Sequence, residues 1–560
     1  MKIMRTFSLI CVSVMISALT SSCKNKTESI RYDVVAPIVN TSDGKSFSIN
    51  CRDFYYVEIN DENKKYADII CKSVGKETNE DGFNSAGFGE NIFGVGLASV
   101  VYFGKYAKSL SENEWEMLCS IAKSPEKYSD ALNNSQTNSS SSLNIHAPMA
   151  SRIPDSAYFD AMIEEIVSDL AEQNNYSRSE AFELIYSGGV TINTPYSAEV
   201  QKTVDEVYSD NKSFAPGTDS SFPQSACVVM DYSGGVAAAS GGNNGNTAYN
   251  RAYRILHPIG SSIKPLSVYA PAVENGLITF SSSVPDVPLT ESKNELSSPW
   301  PSNYNGIYDG EVTVTYALRQ SKNTVPVWLA EKLGTDFCLK FLKENLKFTT
   351  LTEEDKNSSS LAMGYLNQGV SLPELTAAYG IFGNKGLYYS PRFYDEVLDE
   401  KGNVIISKKS ETNQAISSQT AWIMNRLLKY NISGKNAIAA SAQLENGIEV
   451  IGKTGTMNNS SGDDTEKIFV GATPEYIAAV WVGLDTEGMS ISSFSYVPPT
   501  EIWKNIMSRI PFEKTEFDAD EKIVCAEYCT VSGGLAGSRC PEKEIGYYVE
   551  GTVPSKCTIH

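Results

Sequence analysis

The chain has 560 residues, 41% hydrophobic and 20% charged, which is more than one hydrophobic core usually fills and unlike the composition of a disordered chain. It carries 47 Lys and Arg against 67 Asp and Glu, a formal net charge of −20, and no basic stripe offsets it. Such a surface repels phosphate backbones, which argues against nucleic acid as a partner.

At the N-terminus, Lys2 and Arg5 precede an apolar run from Phe7 to Leu19. That run is shorter than the roughly 20 residues of a spanning helix but suits the core of an export signal. It ends in ALTSSCKNK, where small residues precede Cys23 as in a bacterial lipobox. Residues 1–22 are therefore expected to be a lipoprotein signal peptide and Cys23 the lipidated residue, with an uncleaved anchor or plain secretion as alternatives. The folded part is expected on the extracytoplasmic face of the membrane.

Residues 23–208 contain helical patterns such as SENEWEMLCSIAKS and AYFDAMIEEIVSDLAEQ, with apolar residues at three- and four-residue steps. Asn133 to Asn144 is a polar loop, and residues 209–225 have linker composition. ACVVMDYSGGVAAASGG then places a turn-rich segment between two apolar runs, the pattern of a β-hairpin. From 226 to 515, helical patterns (PLSVYAPAVENG, VPVWLAEKLG, LPELTAAYGIFGN, QTAWIMNRLLKY) lie between strand-like pieces, ending in GIEVIGKTGT and YIAAVWVGL. Strands at both ends with helices between indicate an α/β layered domain around a mostly antiparallel sheet. Residues 516–560 form a tail with Cys525, Cys529, Cys540 and Cys557. In an exported tail four cysteines suggest two disulfides in one of three pairings. A zinc site using His560 is the alternative, but no C-x-x-C ligand pair is present, so disulfides and no metal are expected.

Within HPIGSSIKPLSVYA, Pro258 and Gly260 break regular structure and a helical pattern follows, with Pro265 tolerable in its first turn. Ser261 thus sits at a helix entry, where free N–H groups stabilise an oxyanion. Residues three apart share a helix face, so Lys264 pairs with Ser261 and not with Ser262, which packs. Ser261 is the candidate nucleophile. Of the three histidines, His146, His257 and His560, none belongs to a triad motif, and His257 reads as structural. The base is then Lys264, provided burial or a second cation lowers its pKa. Lys453 in IGKTGTMNN supplies that cation. Gly452 and Gly455 bracket it for close approach, and strand alternation puts Thr454 and Thr456 on one face, where their hydroxyls suit a carboxylate. Ser321-Lys322-Asn323 precedes another helical pattern and by itself reads as a helix cap.

S-x-x-K, S-x-N and K-T-G in this order, 60 and 132 residues apart, resemble the penicillin-recognising serine acyltransferases. The text around Ser261, LAMGYLNQGVSLPELTAAYGIFGNKG, FVGATPEYIAAVWVGLD and the tail are similar to class A penicillin-binding proteins over roughly Ala226 to His560. The resemblance implies a penicillin-binding/β-lactamase-like transpeptidase domain after a smaller, mainly helical one. It implies a D,D-transpeptidase without cofactor, acting on D-Ala-D-Ala stem peptides of peptidoglycan and acylated by β-lactams. It assigns Ser261 as nucleophile, Lys264 as its activator, Ser321 and Lys453 as the proton relay, and Asn323, Thr454, Gly455 and Thr456 as substrate contacts. The backbone N–H groups of Ser261 and Thr456 form the oxyanion hole. Residues 87–129 are similar to the later part of the peptidoglycan glycosyltransferase domain, and GGVTINTPYSAEVQKTV to the connector after it. The glutamate motif E-D-x-x-F-x-x-H-x-G is missing, since Glu80-Asp81-Gly82-Phe83 has the wrong spacing and no following histidine. Glycan polymerisation is therefore expected to be absent and a separate glycosyltransferase is a possible partner. A carboxypeptidase, a β-lactam sensor and a non-catalytic scaffold are the rival readings.

Overall fold

The computed structural model describes residues 37–48, most of 57–125, 156–210 apart from 188, 222–243, 250–289 and 299–560 apart from 487. The signal peptide with Cys23, the 133–144 loop and most of the 209–225 linker lie outside the described residues. Among the described residues no helix is long and apolar enough to cross a membrane.

The strands, in chain order, are β1 (Ile38–Asn40), β2 (Ser46–Ser48), β3 (Thr191–Asn193), β4 (Gln224–Asp231), β5 (Val236–Ser240), β6 (Ser283–Asp286), β7 (Gly310–Thr313) and β8 (Leu387–Tyr389). They continue with β9 (Glu396–Leu398), β10 (Val404–Ser407), β11 (Thr412–Gln414), β12 (Ile451–Asn458), β13 (Asp464–Ala472), β14 (Tyr476–Gly483), β15 (Ile523–Cys529) and β16 (Lys543–Val549). The central sheet has the order β12-β13-β14-β4-β5, antiparallel throughout. The hairpin expected from ACVVMDYSGGVAAAS is β4–β5.

Both faces of this sheet are buried, which explains its near-continuous apolar runs. Alternate side chains point to opposite faces. Cys227, Val229, Ala478 and Val480 pack with Trp503 and Ile506 of helix Pro499–Met507 and with Val200 and Val204 of helix Ala198–Ser209. Val228, Met230, Ala479 and Ile477 face the other core, with Leu375 and Tyr379 of helix Leu372–Gly380.

A second sheet has the order β10-β9-β3-β1-β2 and joins strands from distant parts of the chain. β3 runs parallel to β1 and antiparallel to β9. Helix Ala157–Asn174 docks beside it: Tyr158 donates to the Phe393 carbonyl at 2.7 Å, and Tyr158, Met162 and Ile166 belong to the same core as the central sheet. The segment before residue 125 has its own core. Helices Lys64–Ser73, Val95–Phe103 and Glu112–Lys123 pack around Trp115, whose ring stacks on Tyr66 at 5.1 Å.

One expectation is overturned. Cys525, Cys529, Cys540 and Cys557 form no disulfide; all four are free. Cys525 is exposed on β15, away from the others, while Cys529, Cys540 and Cys557 gather around His560. The pairing expected from composition fails because three sulfurs and an imidazole share one centre.

Candidate active site

Gly260–Ile263 forms a 3-10 turn, Pro265–Tyr269 a wider turn of π type, and Ala270–Glu274 a short α-helix. Ser261 stands at the entry, partly exposed, while Ser262, Ile263 and Lys264 are buried. The two adjacent serines have separate tasks. Ser262 donates to the Ile259 carbonyl at 2.6 Å, and its own carbonyl accepts from Tyr379 at 2.6 Å, so it staples the turn.

Glycines let this turn lie against its neighbours. Gly260 has φ +50, and a Cβ there would stand 2.5 Å from the Thr456 carbonyl oxygen and 2.9 Å from its amide nitrogen. A Cβ on Gly455 would meet the Ile259 carbonyl at 2.2 Å. The Ser261 turn and the Thr456 amide are thereby held together, as a shared oxyanion hole requires.

Lys264 is fully buried. Among the described residues no hydrogen bond joins it to Ser261 Oγ. Its Nζ donates instead to Asn323 Oδ1 at 2.6 Å, Ser321 O at 2.9 Å, Lys322 O at 3.0 Å and Ser321 Oγ at 3.4 Å. Burial, with the like charge of Lys453 second, pushes the Lys264 pKa well below that of an ordinary lysine. Lys453 on β12 donates to Ser321 Oγ at 2.9 Å and to the Thr454 carbonyl at 3.1 Å. Burial drives its pKa down to about 7. Ser321 is thus the meeting point of two lysines expelled from water. The described strand starts at Ile451 and leaves out Ile448 and Val450. Glu449 between them is taken by Arg426 at 2.8 Å and by Lys429. Along β12, Thr454 and Thr456 are partly exposed and alternate with buried Lys453, Gly455 and Met457, as strand periodicity predicted.

Ser321 has φ +53, an unfavourable backbone for a serine. Beside it lies a charge cluster that is buried at Lys322 and Asp286 and open to solvent at Asp309. Lys322 Nζ bridges Asp286 at 2.8 Å and Asp309 at 2.5 Å, and Asp286 accepts further from Thr324 at 2.5 Å and Asn303 at 2.7 Å. Asn303 Oδ1 in turn receives the Asn323 amide at 2.8 Å, and Asn323 Nδ2 donates to the Ser302 carbonyl at 2.7 Å. Burial opposes ionisation of Asp286, but the donors around it win and hold its carboxyl below the usual range. Asp286, Asn303 and Asp309 are positioning residues that sequence reasoning missed; nothing local marks them, since their contacts are made in space. His257 is structural, with Nε2 2.9 Å from the Arg251 carbonyl and its ring against Trp481.

Residues 225–508 match the penicillin binding protein transpeptidase domain, and residues 80–148 match the transglycosylase family. The chain belongs to the class A penicillin-binding proteins. It is 31% identical to penicillin-binding protein 1F of Bacillus subtilis, over 76% of this chain and 60% of that protein. It is 29% identical to penicillin-binding protein 1A of Clostridium botulinum, over 84% of this chain and 63% of that one. The chain thus spans about three fifths of the length of these relatives. Its fold is similar to that of penicillin-binding protein 1A from Haemophilus influenzae, with TM-score 0.59, 17% identity and coverage of 93% of this chain and 98% of that one. It is also similar to PonA1 of Mycobacterium tuberculosis, solved in complex with penicillin V, with TM-score 0.53, 23% identity and coverage of 68% and 99%.

Proposed function

We propose that this class A penicillin-binding protein is a peptidoglycan D,D-transpeptidase working through an acyl-enzyme on Ser261. The observation that carries the reading is the pair of buried lysines, Lys264 and Lys453, converging on Ser321 beside the Ser261 turn. Desolvation favours the neutral amine. Neutral Lys264 accepts the Ser261 proton as Oγ attacks the penultimate D-Ala carbonyl, and the oxyanion takes the N–H groups of Ser261 and Thr456. Ser321 and Lys453 pass a proton to the departing D-alanine nitrogen, and the C–N bond breaks. An amine from a neighbouring stem peptide then attacks the ester and regenerates Ser261. Thr454 and Thr456 receive the terminal carboxylate, Gly455 between them lets the Ile259 carbonyl pack against the other face of the strand, and Asn323 orients the peptide. β-Lactams enter by the same attack, with ring opening in place of D-alanine loss.

The decisive experiment is incubation with a fluorescent penicillin followed by mass mapping. A stable adduct on Ser261, absent from Ser261→Ala, is expected; folded protein that takes up no label overturns the proposal. For the region before residue 208 we propose no glycan polymerisation, because the glutamate motif is not met around Glu80, and a separate glycosyltransferase as partner. Glycan formed from lipid-linked precursor by the purified chain would overturn this. The membrane tie is proposed at Cys23, and acyl labelling lost in Cys23→Ala tests it.

A further inference from the structure

The tail contains a second set of converging side chains that the acyl-transfer site does not use. Sγ of Cys529, Cys540 and Cys557 and a ring nitrogen of His560 all lie within 4.8 Å of one another. His560 Nδ1 stands 3.4 Å from Cys529 Sγ and 3.5 Å from Cys557 Sγ. Zinc bound at about 2.3 Å to sulfur and about 2.0 Å to nitrogen in a tetrahedron places sulfur and nitrogen about 3.5 Å apart. We propose that Cys529, Cys540, Cys557 and His560 form a structural zinc site.

The surrounding backbone is built for this cluster. Cys529 ends β15 and opens a turn in which Gly533 (φ +74) donates its amide to the Cys529 carbonyl at 2.8 Å. A Cβ on Gly534 would lie 3.0 Å from the Cys557 amide nitrogen, so only glycine lets the end of the chain pass this close. There Leu535 and Cys557 are tied by an amide-to-carbonyl bond of 2.8 Å. The Gly537 amide donates to Cys540 Sγ at 3.2 Å. Backbone N–H groups aimed at sulfur stabilise thiolates, the form a metal needs. Three thiolates and one imidazole are a donor set suited to Zn²⁺, and four protein ligands close the coordination sphere, as in structural rather than catalytic sites. Binding sends the three thiol protons to solvent and leaves the ligand shell with one net negative charge. No electron changes hands, whereas a disulfide would need an oxidant and would leave the third sulfur and the histidine unemployed. The sequence signal was Cys557-Thr-Ile-His560, a C-x-x-H pair.

The site closes a module that grips the transpeptidase lobe. Tyr528 and Tyr548 of the β15–β16 hairpin are fully buried against Phe280, and Ser281 Oγ donates to the Gly533 carbonyl at 2.6 Å. Arg319, two residues before Ser321, pairs with Glu544 on β16 at 2.9 Å. The zinc therefore holds in place a hairpin that braces the approach to Ser321.

The test uses the full chain purified under reducing conditions without added chelator. Elemental analysis is expected to find about one zinc per chain, and replacement by Co²⁺ should give sulfur-to-cobalt charge-transfer bands and strong tetrahedral d–d absorption. Cys557→Ser and His560→Ala should lose the metal or alter these bands, while Cys525→Ser, outside the cluster, should retain them. Stripping zinc with a mercurial should lower the melting temperature and expose the tail to protease, with recovery once excess dithiol has removed the mercury and Zn²⁺ is added back. Cobalt titration of the wild type gives an answer even where a variant fails to fold. A reduced wild-type chain that holds no zinc and gives no thiolate–cobalt bands overturns the proposal. So does a disulfide mapped among Cys529, Cys540 and Cys557, or bands that persist unchanged in both ligand variants.

Discussion

Replacing Lys453 by methionine should destroy activity and raise stability, and the gain should depend on pH with a definite sign. Lys453 is 2% exposed, and burial lowers its pKa from 10.5 to about 7. At about 1.4 kcal/mol per pH unit, the charged form costs the folded protein ~5 kcal/mol. Between about pH 7 and 10.5 the unfolded chain holds a proton that the folded chain has shed, so wild-type stability climbs with pH across that window. Below about 7 both states are protonated and the whole cost is present. Methionine has similar volume and no charge, so Lys453→Met should melt above wild type at about pH 6 and lose that advantage progressively toward pH 10. With roughly 2–4 °C per kcal/mol for large domains, even a third of the cost gives a shift of several degrees. Melting curves across pH, run beside the rate of fluorescent-penicillin acylation, measure both effects. Acylation should fall by at least about 100-fold, the usual worth of a positioned proton-transfer group. A melting difference that does not vary with pH, or a variant less stable than wild type at acid pH, would refute the desolvation argument. Acylation near the wild-type rate would refute the assigned role.

Four other substitutions test the scaffold. Lys322→Met strands the buried Asp286 carboxylate and should cost ~3–5 kcal/mol; adding Asp286→Asn should restore much of the melting temperature but not the acylation rate, since Ser321 loses its clamp. Gly260→Ala puts a methyl 2.5 Å from the Thr456 carbonyl on a φ of +50 and should slow acylation without displacing the tail, read by stopped-flow and limited proteolysis. Tyr379→Phe removes the donor to the Ser262 carbonyl and should cost about 1–3 kcal/mol in denaturant unfolding.

The placement of Ser261 and Lys264 on one turn, and of Lys453, Thr454 and Thr456 on one strand, was legible because it is local. The β4–β5 hairpin was legible because its turn residues lie between its strands. Other features depend on partners far away in the chain. Lys264 turns to Ser321 and Asn323 because tertiary packing brings their oxygens to it, and no spacing rule around Ser261 encodes that. Asp286 has no sequence mark until Lys322 is placed on it. Three-residue strands such as β1, β3 and β9 are too short to impose a period. The tail cysteines misled because a site using His560 was set aside for want of a C-x-x-C pair, whereas in space the imidazole, three residues beyond Cys557, joins three of the sulfurs.

The sheet containing β3 and β9 bears on how the chain acquires its shape. Asn193 and Glu396, which hydrogen-bond across that pair, are 203 residues apart, and β4 must likewise wait for β14. Closing such long loops spends chain entropy before any pairing is gained, which slows folding. A polypeptide made from its N-terminus therefore presents β3 as an open edge until β9 emerges, and both sheets close late and nearly together. The helices around Trp115, with their own core, have no such wait. Assembly should begin with that helical cluster and end when the last third of the chain, including the strand that carries Lys453, completes the fold and the acyl-transfer cleft in one event.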